Sequence, residues 1–390
     1  MGALGLMVLA ALLAPVGESS WEDEHSKGVA AVAAGRYGEA EVRLKEALAA
    51  AEGFGPGDER LGVSLNDLAE CYRRQGAYEK AEPLFKRAVA VAEKTPGDEA
   101  SLAQSLFNLG VLNYAQRKYA EAEAAYQRSL QVREKHEATE PLPVASTANK
   151  LALVYEVTGK YEEAEGLYKR ALAIRERVLG KEDPLVADTL NNLGYFYVTR
   201  KKYDAAEPFY TRALSIWEKA NGPEHPTVAA GLTNLGIVYM KQRRLDEAEA
   251  AHKRAVAIWE KAKGPEDPLV ASGLNNLAEL YKAQKKYDQA ERLYKRALAI
   301  KEKALGPEHP SVALGLQNLA LMYDRQAKYG EAEALLERAL AIREKVFGHD
   351  SMMVADTLEN YAAVLDDAKR GAEAEPLRKR AAAIRASSGK

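Results

Sequence analysis

Residues 187–226 read ADTLNNLGYFYVTRKKYDAAEPFYTRALSIWEKANGPEHP, and this stretch decides the fold. Its first half carries Leu190, Leu193, Gly194 and Tyr197 at i, i+3, i+4 and i+7, one apolar stripe along a helix. Its second half holds Ala206, Phe209, Tyr210, Ala213, Leu214 and Ile216, again in helical period. Between them, Lys201, Lys202, Tyr203 and Asp204 break the pattern, predicting a short turn with Asp204 as cap of the second helix. Gly222 suits a left-handed helix stop, and Pro226 suits the first turn of the next helix. Nothing alternates with period two, so no strands are expected.

The unit recurs along the whole chain. Tyr37, Tyr78, Tyr119, Tyr161, Tyr203, Tyr287 and Tyr329 keep a step of 41 or 42 residues, with Leu245 in the sixth place and Gly371 in the ninth. An Ala-Glu pair follows each position three residues on, from Ala40-Glu41 to Ala374-Glu375. A fixed period of this length denotes a stacked array, in which each unit packs on its neighbours and no single core has to grow. Small residues hold fixed places, Gly110, Ala152, Gly194, Gly236, Ala278 and Ala320 in the first helices, and an aromatic knob fills each gap (Phe85, Tyr126, Tyr168, Tyr210, Tyr294). His252 takes the same knob position and is expected to be packed. Arg378 takes it in the last unit, as a polar cap.

The pattern Leu-Gly/Ala-x-x-Tyr followed by Ala-Glu-x-x-Tyr-x-Arg-Ala-Leu resembles the tetratricopeptide repeat. The 42-residue length and the junction Gly306-Pro307-Glu308-His309-Pro310 are similar to its kinesin-light-chain-type subclass. The resemblance spans residues 22–386 and implies an all-α, right-handed superhelical solenoid of about nine antiparallel helix pairs. It also implies peptide binding, with asparagines of the first helices gripping the backbone of a bound segment. A heptad segment that would bind a motor chain is missing, so motor transport is not implied. The solenoid is placed at 21–386 and a polar tail at 387–390.

Charge and composition narrow the function. Lys plus Arg number 55 against 57 Asp plus Glu, a net −2, which argues against a nucleic-acid partner. Cys71 is the sole cysteine, so no internal disulfide or thiolate cluster is expected. No nucleophile elbow or phosphate loop is found, and the glycines read as helix stops and close-packing points. His225 and His309 precede prolines where Asp183 and Asp267 stand in other units, a capping position, and no metal-ligand spacing occurs. The chain is therefore read as non-enzymatic, with no cofactor, no metal and no small-molecule substrate. The apolar run from Leu4 to Leu13 is too short to span a bilayer and suits a secretory signal over residues 1–20. Export to the periplasm or medium is expected, a cytoplasmic protein being the alternative.

A second stripe on the first helices carries the candidate site. Asparagine recurs there as Asn108, Asn192, Asn234, Asn276, Asn318 and Asn360. Asparagine is a poor helix-interior residue, and its carboxamide can hold a peptide main chain of any sequence. Tyr195 and Ile237 one turn on would take side chains, and Lys241 would add charge. The alternative is that each asparagine bonds to the neighbouring unit. The stripe reads basic in the middle, at Lys241 and Lys282, and acidic at the end, at Asp356, Glu359, Asp366 and Asp367. Trp217 and Trp259 replace charged residues at one position of adjacent units, which reads either as an exposed contact pair or as cover for the junction. The expected function is a monomeric scaffold binding a protein or peptide in this groove. The alternative is a self-associating assembly scaffold.

Overall fold

The computed structural model describes residues 18–55 and 57–388, so most of the expected signal segment lies outside the described residues. Among the described residues are eighteen α-helices and no strand. Two compact units divide the chain after Thr189. In the first unit α1 (Glu18–Ala33) pairs with α2 (Tyr37–Gly53), α3 (Glu59–Arg74) with α4 (Tyr78–Lys94), α5 (Glu99–Ala115) with α6 (Tyr119–Glu134), and α7 (Pro141–Val157) with α8 (Tyr161–Leu179). Helix α9 (Pro184–Thr199) begins in the first unit and ends in the second. The second unit continues with α10 (Tyr203–Asn221), the pair α11 (Pro226–Lys241) and α12 (Leu245–Lys263), and α13 (Pro268–Ala283) with α14 (Tyr287–Leu305). It closes with α15 (Pro310–Asp324) on α16 (Tyr329–Phe347) and α17 (Met352–Asp367) on α18 (Gly371–Ser388).

Close approach within a pair depends on the small residue and the knob. A Cβ added to Gly110 would stand 2.7 Å from the Tyr126 ring, and one on Gly194 would stand 2.7 Å from Tyr210. Phe85, Tyr126, Tyr168, Tyr210 and Tyr294 are accordingly buried. His252 is wholly buried against Gly236, and neither ring nitrogen has a hydrogen-bond partner. Burial alone lowers its pKa to about 4. Cys71 is a buried core residue.

The short turn inside each pair puts one residue in the left-handed region, such as Lys201 at φ 58° and Arg243 at φ 63°. The N–H two places after Lys201's neighbour Arg200, that of Lys202, then bonds back to Tyr197 O at 2.9 Å, closing the first helix. Asp204 does not cap the second helix. Lys202 is the N-cap residue and supplies no side-chain bond, so Asp204 falls inside the first turn, where its carboxylate accepts from Gln242 Nε2 at 2.9 Å. The second helices stop as expected, at Gly222 (φ 88°) and Gly264 (φ 91°). The next helices start on capped prolines: Asp267 Oδ1 accepts from Leu269 N at 2.8 Å, and His309 Nδ1 from Ser311 N at 3.1 Å.

Successive second helices are joined by a periodic ion ladder. In the second unit Arg254 meets Glu218, Arg296 meets Glu260, Arg338 meets Glu302 and Arg380 meets Glu344, each at 2.6 Å. These are solvent-facing pairs, each contributing about 0–1 kcal/mol. Packing of the apolar stripes therefore carries the array.

Candidate functional site

The starting prolines set the register of the first helices, so residues 42 apart occupy the same turn. In the second unit Asn192, Asn234, Asn276, Asn318 and Asn360 are all half-buried at that turn, as is Asn108 in the first unit. Tyr195 is 54% exposed, Ile237 is partly buried, and Lys241 at the end of α11 is exposed.

Several asparagines tie one repeat to the next. Asn234 Nδ2 donates to Asn191 Oδ1 at 2.8 Å, and Asn318 Nδ2 donates to Asn275 Oδ1 at 3.0 Å. In the first unit Asn108 Nδ2 donates to Asn66 Oδ1 at 3.1 Å. The acceptor is each time an asparagine one place earlier in the preceding repeat. A carboxamide used this way still keeps an oxygen and a second N–H. At two positions the preceding repeat has no asparagine to offer. Thr233 spends its hydroxyl on Ala229 O, and Gln317 receives Arg343. The carboxamides of Asn276 and Asn360 make no hydrogen bond to another described residue.

The acidic end of the stripe is largely compensated internally. Arg385 of α18 pairs with Asp356 at 2.9 Å and also with Glu359, and Arg378 pairs with Asp366. Asp324 lies beside Asp367, and burial together with that neighbour holds its carboxyl above the usual range. Its Oδ1 lacks a partner because Leu336 stands at the knob position. In other repeats a knob tyrosine reaches a stripe carboxylate, as Tyr168 Oη does to Glu156 Oε2 at 3.1 Å.

The tryptophans are not an exposed pair. Trp217 is 7% and Trp259 is 5% exposed. Each ring packs over the first helix of the following repeat, where glycine leaves room. A Cβ on Gly231 would stand 3.1 Å from Trp217 Cζ3, and one on Gly273 would stand 3.0 Å from Trp259 Cζ3. The signal was present in the sequence, as a glycine fourteen residues after each tryptophan.

In other repeats the same position holds the cations that the sequence shows there, and the structure gives them partners. Arg175 Nη1 donates to Thr189 Oγ1 at 2.7 Å and to Leu185 O at 2.8 Å. Arg133 Nη1 donates to Thr147 Oγ1 at 2.8 Å and to Pro143 O at 3.0 Å, and its Nη2 reaches Gln104 Oε1 at 2.8 Å. Arg343 makes the corresponding bonds to Thr357 and Met353. Lacking a carboxylate in contact, the Arg133 guanidinium is pushed down by burial to about 10. A cavity of about 740 Å³ opens beside it, lined by Glu99, Gln104, His136, Glu140 and Pro143.

Among the described residues no group of three or more His, Cys, Asp or Glu side chains converges to hold a metal ion. No described helix is long and apolar enough to cross a membrane.

Comparison with known proteins fits this geometry. The tetratricopeptide-repeat family model matches seven overlapping segments, 24–94, 60–135, 143–219, 185–261, 227–303, 269–345 and 317–387. A search of curated proteins returned no match. Among solved structures, the chain is similar to BtubC (BKLC) from P. vanneervenii at 27% identity, over 59% of this chain and 93% of that one, with a TM-score of 0.53. A kinesin-light-chain repeat protein of Podosopora anserina is 28% identical over 52% of this chain and 95% of its own, with a TM-score of 0.47. The apo quorum sensor NprR from B. thuringiensis shares the fold at 14% identity, over 94% of this chain and 99% of that one, with a TM-score of 0.62. The chain belongs to the tetratricopeptide-repeat family.

Proposed function

We propose that this chain is a non-enzymatic protein-interaction scaffold whose first-helix face takes an extended or helical segment of a partner protein. The observation that supports this reading is the recurrent carboxamide at one turn of every first helix in the second unit, unspent at Asn276 and Asn360. Half-buried amides with free donors and acceptors are suited to hold a main chain, while Tyr195 and Ile237 offer apolar surface beside them. Replacing Asn276 and Asn360 together by Ala removes these groups without breaking an inter-repeat bond. Affinity for peptides selected from a display library on the wild-type chain is expected to fall about 10- to 30-fold, at about 1 kcal/mol per hydrogen bond. Helicity should be unchanged, and unchanged affinity would remove the proposal.

The mature chain acts as a monomer in this reading, which light scattering tests. A stable oligomer covering the first-helix face would favour the assembly scaffold instead. We also place the protein outside the cytoplasm, on the apolar run from Leu4 to Leu13. N-terminal sequencing of the fractionated protein should find a start near residue 20, and a full-length cytoplasmic product would refute export.

A further inference from the structure

The junction between α6 and α7, in the first unit, departs from its counterparts at both ends. Helices α8, α10 and α12 each run 19 residues and stop on a glycine with positive φ, at Gly180, Gly222 and Gly264. Helix α6 starts on the equivalent tyrosine but has Ala138 where they have that glycine, and it runs only 16 residues, to Glu134. The helix that follows also lacks the usual cap. Asp183, His225, Asp267 and His309 each accept from the backbone N–H two residues on. Glu140 stands at that place with a side chain one methylene longer than Asp, and it caps nothing. The cavity of about 740 Å³ beside Arg133 opens at this junction, and Glu140 lines it.

Two charges on the cavity wall have no counter-ion in contact. Arg133 spends three of its five N–H donors, on Thr147 Oγ1, Pro143 O and Gln104 Oε1, and its guanidinium carbon lies 5.0 Å from the Phe107 ring centroid. The guanidinium is therefore fixed in place with two donors to spare. The Glu140 carboxylate makes no hydrogen bond or ion pair with any described residue. It is the one charged group that acts on Arg133, and it offsets the cost of burial only in part. Glu99, the other acid of the wall, is already taken by Lys135 at 2.7 Å and His136 at 2.8 Å. A fixed cation and a fixed carboxylate on one cavity select what it can hold. A simple anion would satisfy Arg133 but meet the charge of Glu140, and a simple cation would do the reverse. We propose that this cavity binds a small zwitterion, a free amino acid or a compound of like charges, with its carboxylate on the spare donors of Arg133 and its ammonium on Glu140. The volume lies within the range of about 300–1,000 Å³ usual for small-ligand sites. The site belongs to the first unit and is separate from the carboxamides of Asn276 and Asn360 on which the partner-binding reading rests.

Isothermal titration calorimetry of the full chain tests this, with the standard amino acids each measured beside its N-acetyl and its C-amide form. At least one free amino acid should bind. Its two blocked forms should each bind about 10- to 100-fold more weakly, since each loses one hydrogen-bonded charge. Arg133→Met and Glu140→Gln should weaken the free amino acid by a similar factor. So should Glu140→Asp, which supplies the short cap seen at Asp267 and should melt no lower than wild type. No binding of any free amino acid, blocked forms that bind as well as the free one, or binding that survives in both Glu140 variants would overturn the site.

Discussion

Two kinds of repeat junction occupy the same socket. At Arg133/Thr147, Arg175/Thr189 and Arg343/Thr357 a guanidinium bonds a hydroxyl and a backbone carbonyl of the next repeat. At Trp217/Gly231 and Trp259/Gly273 an indole lies over a bare backbone. Neither half of one pair works with a half of the other. A threonine under the indole would clash, and a glycine opposite the guanidinium would leave it short of an acceptor. The two solutions differ in what sustains them, satisfied polar bonds in the first and filled volume in the second.

That difference sets an order of expected effects. The largest belongs to the apolar junction: Trp259→Ala should destabilise the second unit by about 3–5 kcal/mol, because a large buried ring is lost over a rigid backbone. Urea unfolding measures it, and a loss near zero would mean that the ring is not what holds this junction.

Next comes pH. His252 sits in the repeat between the two tryptophan junctions, with a folded pKa of about 4 against an ordinary value near 6.5. Protonation therefore favours the unfolded chain. Stability from this residue is complete above pH 6.5 and declines as pH falls towards 4, by about 3 kcal/mol in all at 1.36 kcal/mol per unit. No charged group contributes to the shift. His252→Phe should flatten the profile between pH 7 and 4, and a steep slope that persists in this variant would assign it elsewhere.

The polar junction is expected to be milder. Thr357→Val removes one acceptor from Arg343 and should cost about 1–2 kcal/mol, since the Met353 carbonyl and Gln317 remain. Combining Arg343→Trp with Thr357→Gly should recover more stability than the two single changes suggest. A coupling energy of zero in that double-mutant cycle would mean that the two schemes are not exclusive. The smallest effect is on the outer ladder, where Arg254→Ala should shift stability by about 1 kcal/mol or less, and by less in high salt.

The array itself was plain in the sequence, because helical stripes, glycine stops and capped prolines each repeat with the same period. His225 and His309 as caps and His252 as a packed knob all followed from register alone. Asp204 was misplaced as a cap because an Asp beside a turn looks alike at the N-cap and in the first helical turn. The tryptophans were left between a contact pair and a junction cover because their partners, Gly231 and Gly273, lie on a different helix and need the packing to be seen. For the asparagines, residue type and period are equally good for a bond to a ligand and a bond to a neighbour. Only the partner at the preceding position separates Asn234 and Asn318 from Asn276 and Asn360.

The most direct measurement of the central claim is site-specific photo-crosslinking in cells that make the protein. A photoreactive residue is placed at Tyr195 or Ala283 on the first-helix face, or at the exposed Arg292 or Lys295 of α14 as controls. The account predicts a discrete protein adduct from positions 195 and 283 and none from the two controls. Adducts confined to the second-helix positions, or shared equally by all four, would contradict it.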